Sequence, residues 1–289
     1  MQKKNSHTST LFHYTNKQSV ILSILKEGIK FGFCKEILSD KHCVGIPMIS
    51  FCDIPIGNSA EHSHKYGRYA IGLSKEYILN NYSEGIGPVN YYTSEHFIDA
   101  AFKLLEEEKA YRDVLEKMSE GKKKDSSMTI NGMYYEGFPL SKSEIPFALN
   151  AFLKSDNYHR AATRAIGLMK RYQSEYKGKM QVNYDECEWR MVIPEYADIA
   201  ENKKCRWFWT EEEYDRWRKT SPNKFLDNMT LSFTPSDINY LIVPTNKQIP
   251  SIIKALSHLK EVCGNPISTE ERSQLYSRVI SFEQIKSDF

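Results

Sequence analysis

No run of about 18 apolar residues occurs anywhere in this chain, so the sequence offers no membrane-spanning helix. It has no Cys-x-x-Cys pair either. Its six cysteines lie apart at 34, 43, 52, 187, 205 and 263, and the polar start carries no secretory leader. Free thiols in a reducing cytoplasm are the expectation. Neither sign of charge dominates: 39 basic and 37 acidic residues leave a formal net charge of +2, which argues against bulk attraction to nucleic acid or an anionic membrane. Gly-x-Gly-x-x-Gly and the phosphate-binding Gly-x-x-x-x-Gly-Lys-Ser/Thr loop are missing, as is the Gly-x-Ser-x-Gly hydrolase elbow. His-Glu-x-x-His is absent, and His62 and His64 stand two apart, a spacing that separates them on a helix. No metal is expected.

What is present suffices for a sizeable core, since 40% of the 289 residues are hydrophobic. Leu11-Phe12-His13-Tyr14-Thr15 reads as a strand, followed by Val20, Ile21, Ile24 and Leu25 at helical spacing and by Gly28 as a stop. Val44 to Cys52 reads as a second strand, with Pro47 pointing to an edge position or a bulge. A polar helical turn over 61–67 and strands at 69–73 and 89–92 follow. Phe97, Ala101, Leu104, Tyr111, Leu115 and Met118 then recur at helical intervals. Residues 121–127 read as a loop and 145–177 as a further helical stretch. Strands return at 187–193 and 240–244, then a helix through Ile252, Ile253, Leu256 and Leu259, and a last strand near 279–282. The pattern predicts one α+β domain over residues 1–289 with a mainly helical insertion at about 95–180.

The most informative segment is Tyr184 to Pro194, where two acids and an arginine alternate inside an apolar run. As a strand it would turn Glu186, Glu188 and Arg190 to one face and Cys187, Trp189 and Met191 to the other. Unpartnered buried carboxylates are costly, so such a face meets either a ligand cleft or partner charges. Two cationic patches offer similar alternatives. Arg160, Arg164 and Arg171, thickened by Lys170, could receive phosphates or form a solvated helix face. Lys203 to Trp209 mixes cations with aromatics that could stack bases or fill core. Asp53, ahead of a short helical segment, has the character of a structural cap.

Four segments, in order, resemble the AbiGi family of bacterial abortive phage-resistance proteins: residues 12–15, residues 46–55, His62-x-x-x-Tyr66-Gly67-x-Tyr69 with Ile71 to Lys75, and Glu186-x-Glu188-Trp189-Arg190. The resemblance spans roughly 11–194. It implies an anti-phage setting and a cognate toxin or antitoxin partner, the family being the antitoxin-like half of a defence pair.

The same order of elements is more distantly similar to the ADP-ribosyltransferase fold, including DarT-like toxins, although no Ser-Thr-Ser strand is present. That similarity implies a mixed, largely antiparallel split sheet with NAD as cofactor and a nucleic acid or protein as acceptor. Carried over, His13 with Tyr14 and Thr15 would meet the NAD ribose, and Phe51 or Tyr66 would stack on nicotinamide. The tyrosine of the middle motif is Tyr66 or Tyr69. Glu188 would stabilise the oxocarbenium-like centre and Glu186 would deprotonate the nucleophile, while Arg190 would hold an acid or the diphosphate. The resulting expectation is an NAD-dependent ADP-ribosyltransferase-like defence protein. Its alternative is a non-catalytic antitoxin or sensor that keeps the fold without turnover.

Overall fold

A computed structural model of the protein describes residues 8–104, 107, 128–130, 133–135, 161–162, 164–176, 178–193, 208–220 and 226–288. Its frame is a mixed nine-stranded sheet built from β1 (Thr10–Thr15), β2 (Gly32–Ile37), β3 (Cys43–Cys52), β4 (Tyr69–Ser74), β5 (Ile86–Pro88), β6 (Glu188–Val192), β7 (Phe208–Trp209), β8 (Ile238–Val243) and β9 (Val279–Ser281). The order is β9-β8-β4-β1-β3-β6-β5, with β2 and β7 also paired to β3. The β8/β9 pair is parallel and the other pairings are antiparallel. The fold is therefore α+β.

Strand alternation sorts the core onto two faces. Leu11, Ile49, Phe51, Ile71, Leu73, Met191, Leu241 and Val243 share one face, buried in the main apolar cluster. Helices cover it: Gln18–Glu27, Lys75–Tyr82, Ile249–Ser257 and Thr269–Ser277 supply Ile21, Ile24, Leu25, Ile78, Ile252, Leu256 and Leu275. In the first of these helices Ile21, Ile24 and Leu25 fall at the i, i+3, i+4 spacing of a buried stripe, and Gly28 ends it at φ +83°.

Among the described residues the opposite face carries apolar clusters at its two ends. At one end Val44, Ile46 and Met48 pack with Ile98 and Phe102 of helical residues 95–104 and with Ile166. At the other, Phe12, Ala70 and Ile242 pack with Phe282 and Ile285 of the helix Phe282–Asp288. Between these clusters the face is polar.

The gap has a cause in the register. Along one edge of β3, β1 pairs only through Phe12↔Cys52, and β2 takes over from Met48 to Cys43. The other edge meets β6 from Cys52 to Met48 and β7 at Val44 and Cys43. The first edge is thus open between Met48 and Cys52, where β1 diverges.

Several expectations need correction. Pro47 lies in a central strand, at the position where β6 has ended and β7 has not begun. The helical reading of 145–177 fails at its end. Helix gives way after residue 167, Met169–Arg171 pairs with Asn90–Tyr92, and Gln173–Tyr176 forms a hairpin with Lys179–Val182. The stretch 121–127 and residues 203–207 lie outside the described residues, as do Tyr111, Leu115, Met118 and Arg160. Arg164 is helical and Arg171 is in a strand, so they share no helical face. Among the described residues no helix is long and apolar enough to cross a membrane.

Candidate functional site

A cavity of about 350 Å³ opens where β1 leaves β3, and its wall includes His13, Tyr14, Phe51, Tyr66, Glu186, Glu188 and Arg190. Seven of the eight residues singled out from sequence therefore converge. Thr15 does not: it ends β1 opposite Tyr69, with its backbone against Gly67.

Glu188 and Arg190 project from β6 to the same face, as period-two alternation requires, and both are buried. Glu186 is different. It closes the 3-10 turn Asn183–Glu186, and Cys187 adopts a left-handed conformation at φ +43° before β6 begins. The run of alternation does not extend back to Glu186, because the chain turns at Cys187. Glu186 reaches the same cluster through Lys170.

The cluster is closed in charge. Arg190, with no exposed surface, donates to Glu188 from Nε at 2.8 Å and Nη2 at 3.2 Å, to Glu36, and from Nη1 to the Gly167 and Met169 carbonyls at 3.2 Å each. Lys170 Nζ lies 2.8 Å from Glu188 and 2.7 Å from Glu186. Lys65 caps the other Glu186 oxygen, which also accepts from Gln181 Nε2 at 3.3 Å. Three cations thus meet three carboxylates, and both oxygens of Glu188 are occupied by positive donors. Burial opposes ionisation of Glu188, but the charges of Arg190 and Lys170 outweigh it and hold its pKa down at about 2. Glu186 is lowered against the same burial penalty by Lys170, with hydrogen bonds from Lys65 and Tyr66 assisting.

His13 belongs by register to the other face, and its ring reaches into the gap. Nδ1 lies 2.9 Å from the Ser50 carbonyl, which must accept, so the neutral ring carries its proton there and keeps Nε2 as an acceptor. Burial lowers its pKa, opposed by that hydrogen bond. Phe51 stands edge-on to His13 at 5.9 Å with its body buried in the main core. Tyr66 ends the helix Ser59–Tyr66 and hydrogen-bonds Glu186. Tyr69 lies in the main core on the opposite face, its hydroxyl accepting from Gln248 at 2.9 Å, so of these two tyrosines Tyr66 is the one that lines the cavity. Tyr14 lines the wall while its ring stacks on Phe282 at 6.4 Å. Burial raises the pKa of Cys34, to about 11, and of Cys52, so both cavity thiols are protonated. Asp53 is structural: it accepts the Thr8 N–H at 3.1 Å and pairs with Lys75, whose ammonium sits 4.3 Å above Trp189.

Sequence reasoning missed Glu36 and Lys65, and put Lys170 in a cationic stripe and not beside Glu186 and Glu188. Glu36 had a signal, since Phe33, Cys34, Lys35, Glu36 and Ile37 form a short strand beside β3. Lys170 was concealed in the run read as helix.

This geometry bears on chemistry. A carboxylate that stabilises an oxocarbenium centre must aim unspent negative charge at the substrate. Glu188 spends its charge on Arg190 and Lys170.

Comparison with known proteins agrees. Residues 30–244 match the family model described as "Putative abortive phage resistance protein AbiGi, antitoxin". A similar relative is the abortive phage resistance protein AbiGi of Lactococcus lactis subsp. cremoris, 26% identical over 259 residues, covering 84% of this chain and 89% of the relative. No solved structure matches. The match to a family described as an antitoxin overturns the expectation of an NAD-dependent ADP-ribosyltransferase and favours its non-catalytic alternative. On the strength of the match over residues 30–244, this chain belongs to the AbiGi family of abortive phage resistance proteins.

Proposed function

We propose that this chain is a non-catalytic, antitoxin-type member of an abortive-infection pair, acting by binding a cognate toxin protein. The observation that carries this reading is the double occupation of Glu188 by Arg190 and Lys170, in a chain whose family is described as an antitoxin. In this reading the ion cluster is architecture. It pins residues 169–171 and 183–186 to β6 and sets the cavity's shape.

Co-expression tests it. Inducible toxin candidates encoded beside this chain are expressed with and without it, and growth is followed. The chain alone leaves growth unaffected and restores growth of toxin-arrested cells. Arrest by the chain alone, with depletion of cellular NAD, is the contrary result.

A further inference from the structure

The hairpin of Gln173–Tyr176 and Lys179–Val182 turns polar side chains inward and leaves apolar ones exposed. Its register puts Ser174 and Gln181 on one side and Gln173, Glu175, Met180 and Val182 on the other. The polar side faces inward: Ser174 and Gln181 hydrogen-bond the buried Asn183 at 3.1 Å, and Gln181 reaches Glu186. The outward side is mixed: Met180 and Val182, 63% and 37% exposed, stand cross-strand from the exposed Glu175 and Gln173. At the base of the hairpin Tyr184 (58%) and Tyr172 (37%) are also exposed, stacked on each other at 5.9 Å, and Tyr184 meets Tyr91 edge-on at 5.4 Å. A surface hairpin ordinarily turns its apolar side to the core.

The chemistry of the occupant follows from charge. Among the described residues register gives the outer side no cation: Lys179 falls on the side of Gln181, and the ionised group beside Met180 is Glu175, with Asp185 exposed next to Tyr184. Phosphates of a nucleic acid or an anionic membrane meet Glu175 and Asp185 there, and among the described residues no cation on that side. An apolar protein ridge flanked by Lys or Arg suits this side, and tyrosines of this kind dominate protein interfaces.

We propose that the outer side of hairpin 173–182, with Tyr172 and Tyr184, is the docking surface for the toxin, which presents an apolar ridge with a basic rim. This rests on the antitoxin reading above. Through Gln181 and Asn183 the bound toxin would sit one layer from the Glu186 cluster.

The test uses the full-length chain and the toxin whose growth arrest it relieves, with Kd measured by titration calorimetry. Met180→Asp combined with Tyr184→Ser weakens binding about 30-fold or more at an unchanged melting temperature, and Glu175→Lys weakens it with a changed salt dependence. Val20→Ser, on the helical side of the sheet, leaves Kd unchanged. The milder Val182→Ser, expected to weaken binding several-fold, replaces the double variant should that variant not fold. Binding by these folded variants within about threefold of wild type overturns the docking surface while the antitoxin reading stands. Sedimentation as a dimer that Met180→Asp dissociates assigns the surface to a second copy and also overturns it. If the wild-type chain relieves no toxin and binds none, the antitoxin reading itself has failed, and the docking surface with it.

Discussion

Arg190 holds the Glu188 carboxylate side-on, Nε to one oxygen at 2.8 Å and Nη2 to the other at 3.2 Å, from a guanidinium with no exposed surface. Paired buried charges contribute little net stability, because desolvation offsets their attraction, but removing one partner strands the other.

Glu188→Gln should therefore destabilise the fold by about 3–5 kcal/mol, because Arg190 keeps only Glu36 and Lys170 keeps only Glu186. Urea unfolding measures this. Glu188→Gln combined with Arg190→Met should cost less than the sum of the two single changes, the sign of direct coupling.

The cluster also predicts an acid limb. A carboxylate whose folded pKa lies at about 2, against an ordinary 4.5, contributes stability that is complete above pH 4.5 and is lost as pH falls towards 2. The upper bound from this one group is about 3 kcal/mol. Glu186 is shifted the same way and adds to it. Urea midpoints measured from pH 7 down to pH 2.5 should fall most steeply below 4.5, and Glu188→Gln should flatten the decline.

His13 contributes in a separate window. Its folded pKa is below 6.5, so the folded chain binds fewer protons than the unfolded one, and stability drops as pH falls below 6.5. Nitrogen-detected NMR should show the proton on Nδ1 in the neutral ring and a titration midpoint below 6.5. A midpoint above that value contradicts the burial of the ring, whose effect outweighs that of the hydrogen bond to Ser50.

Gly67 sets the end of the helix that carries Tyr66. It sits at φ +135°, and a Cβ there would lie 2.3 Å from the Thr15 carbonyl carbon and oxygen. Gly67→Ala should cost on the order of 2–4 kcal/mol through backbone strain and displacement of β1. A melting temperature within one degree of wild type would contradict this.

Residues that announced themselves did so through local pattern. β6 was legible because Trp189 and Met191 alternate with Glu188 and Arg190, and the helix over Ile252 to Leu256 because its apolar stripe faces the sheet. The convergence of His13, Tyr66 and Glu188 was reached through motif order. What stayed hidden depends on contacts distant in sequence. Lys170 and Glu186 are 16 positions apart, Lys65 and Glu186 121 apart, and Glu36 and Arg190 154 apart. Pattern reading exposed two acids and an arginine on one segment but not the three partners that neutralise them. That missing half reverses the functional conclusion, because an unpaired Glu188 suits catalysis and a doubly paired one suits structure.

On the antitoxin reading this chain acts by binding a protein and turns over no dinucleotide. Release of labelled nicotinamide from NAD by the purified chain, alone and with its toxin, tests it most directly. The predicted rate equals that of buffer in both mixtures. Release above buffer by wild type that disappears in a folded Glu188→Gln variant contradicts it.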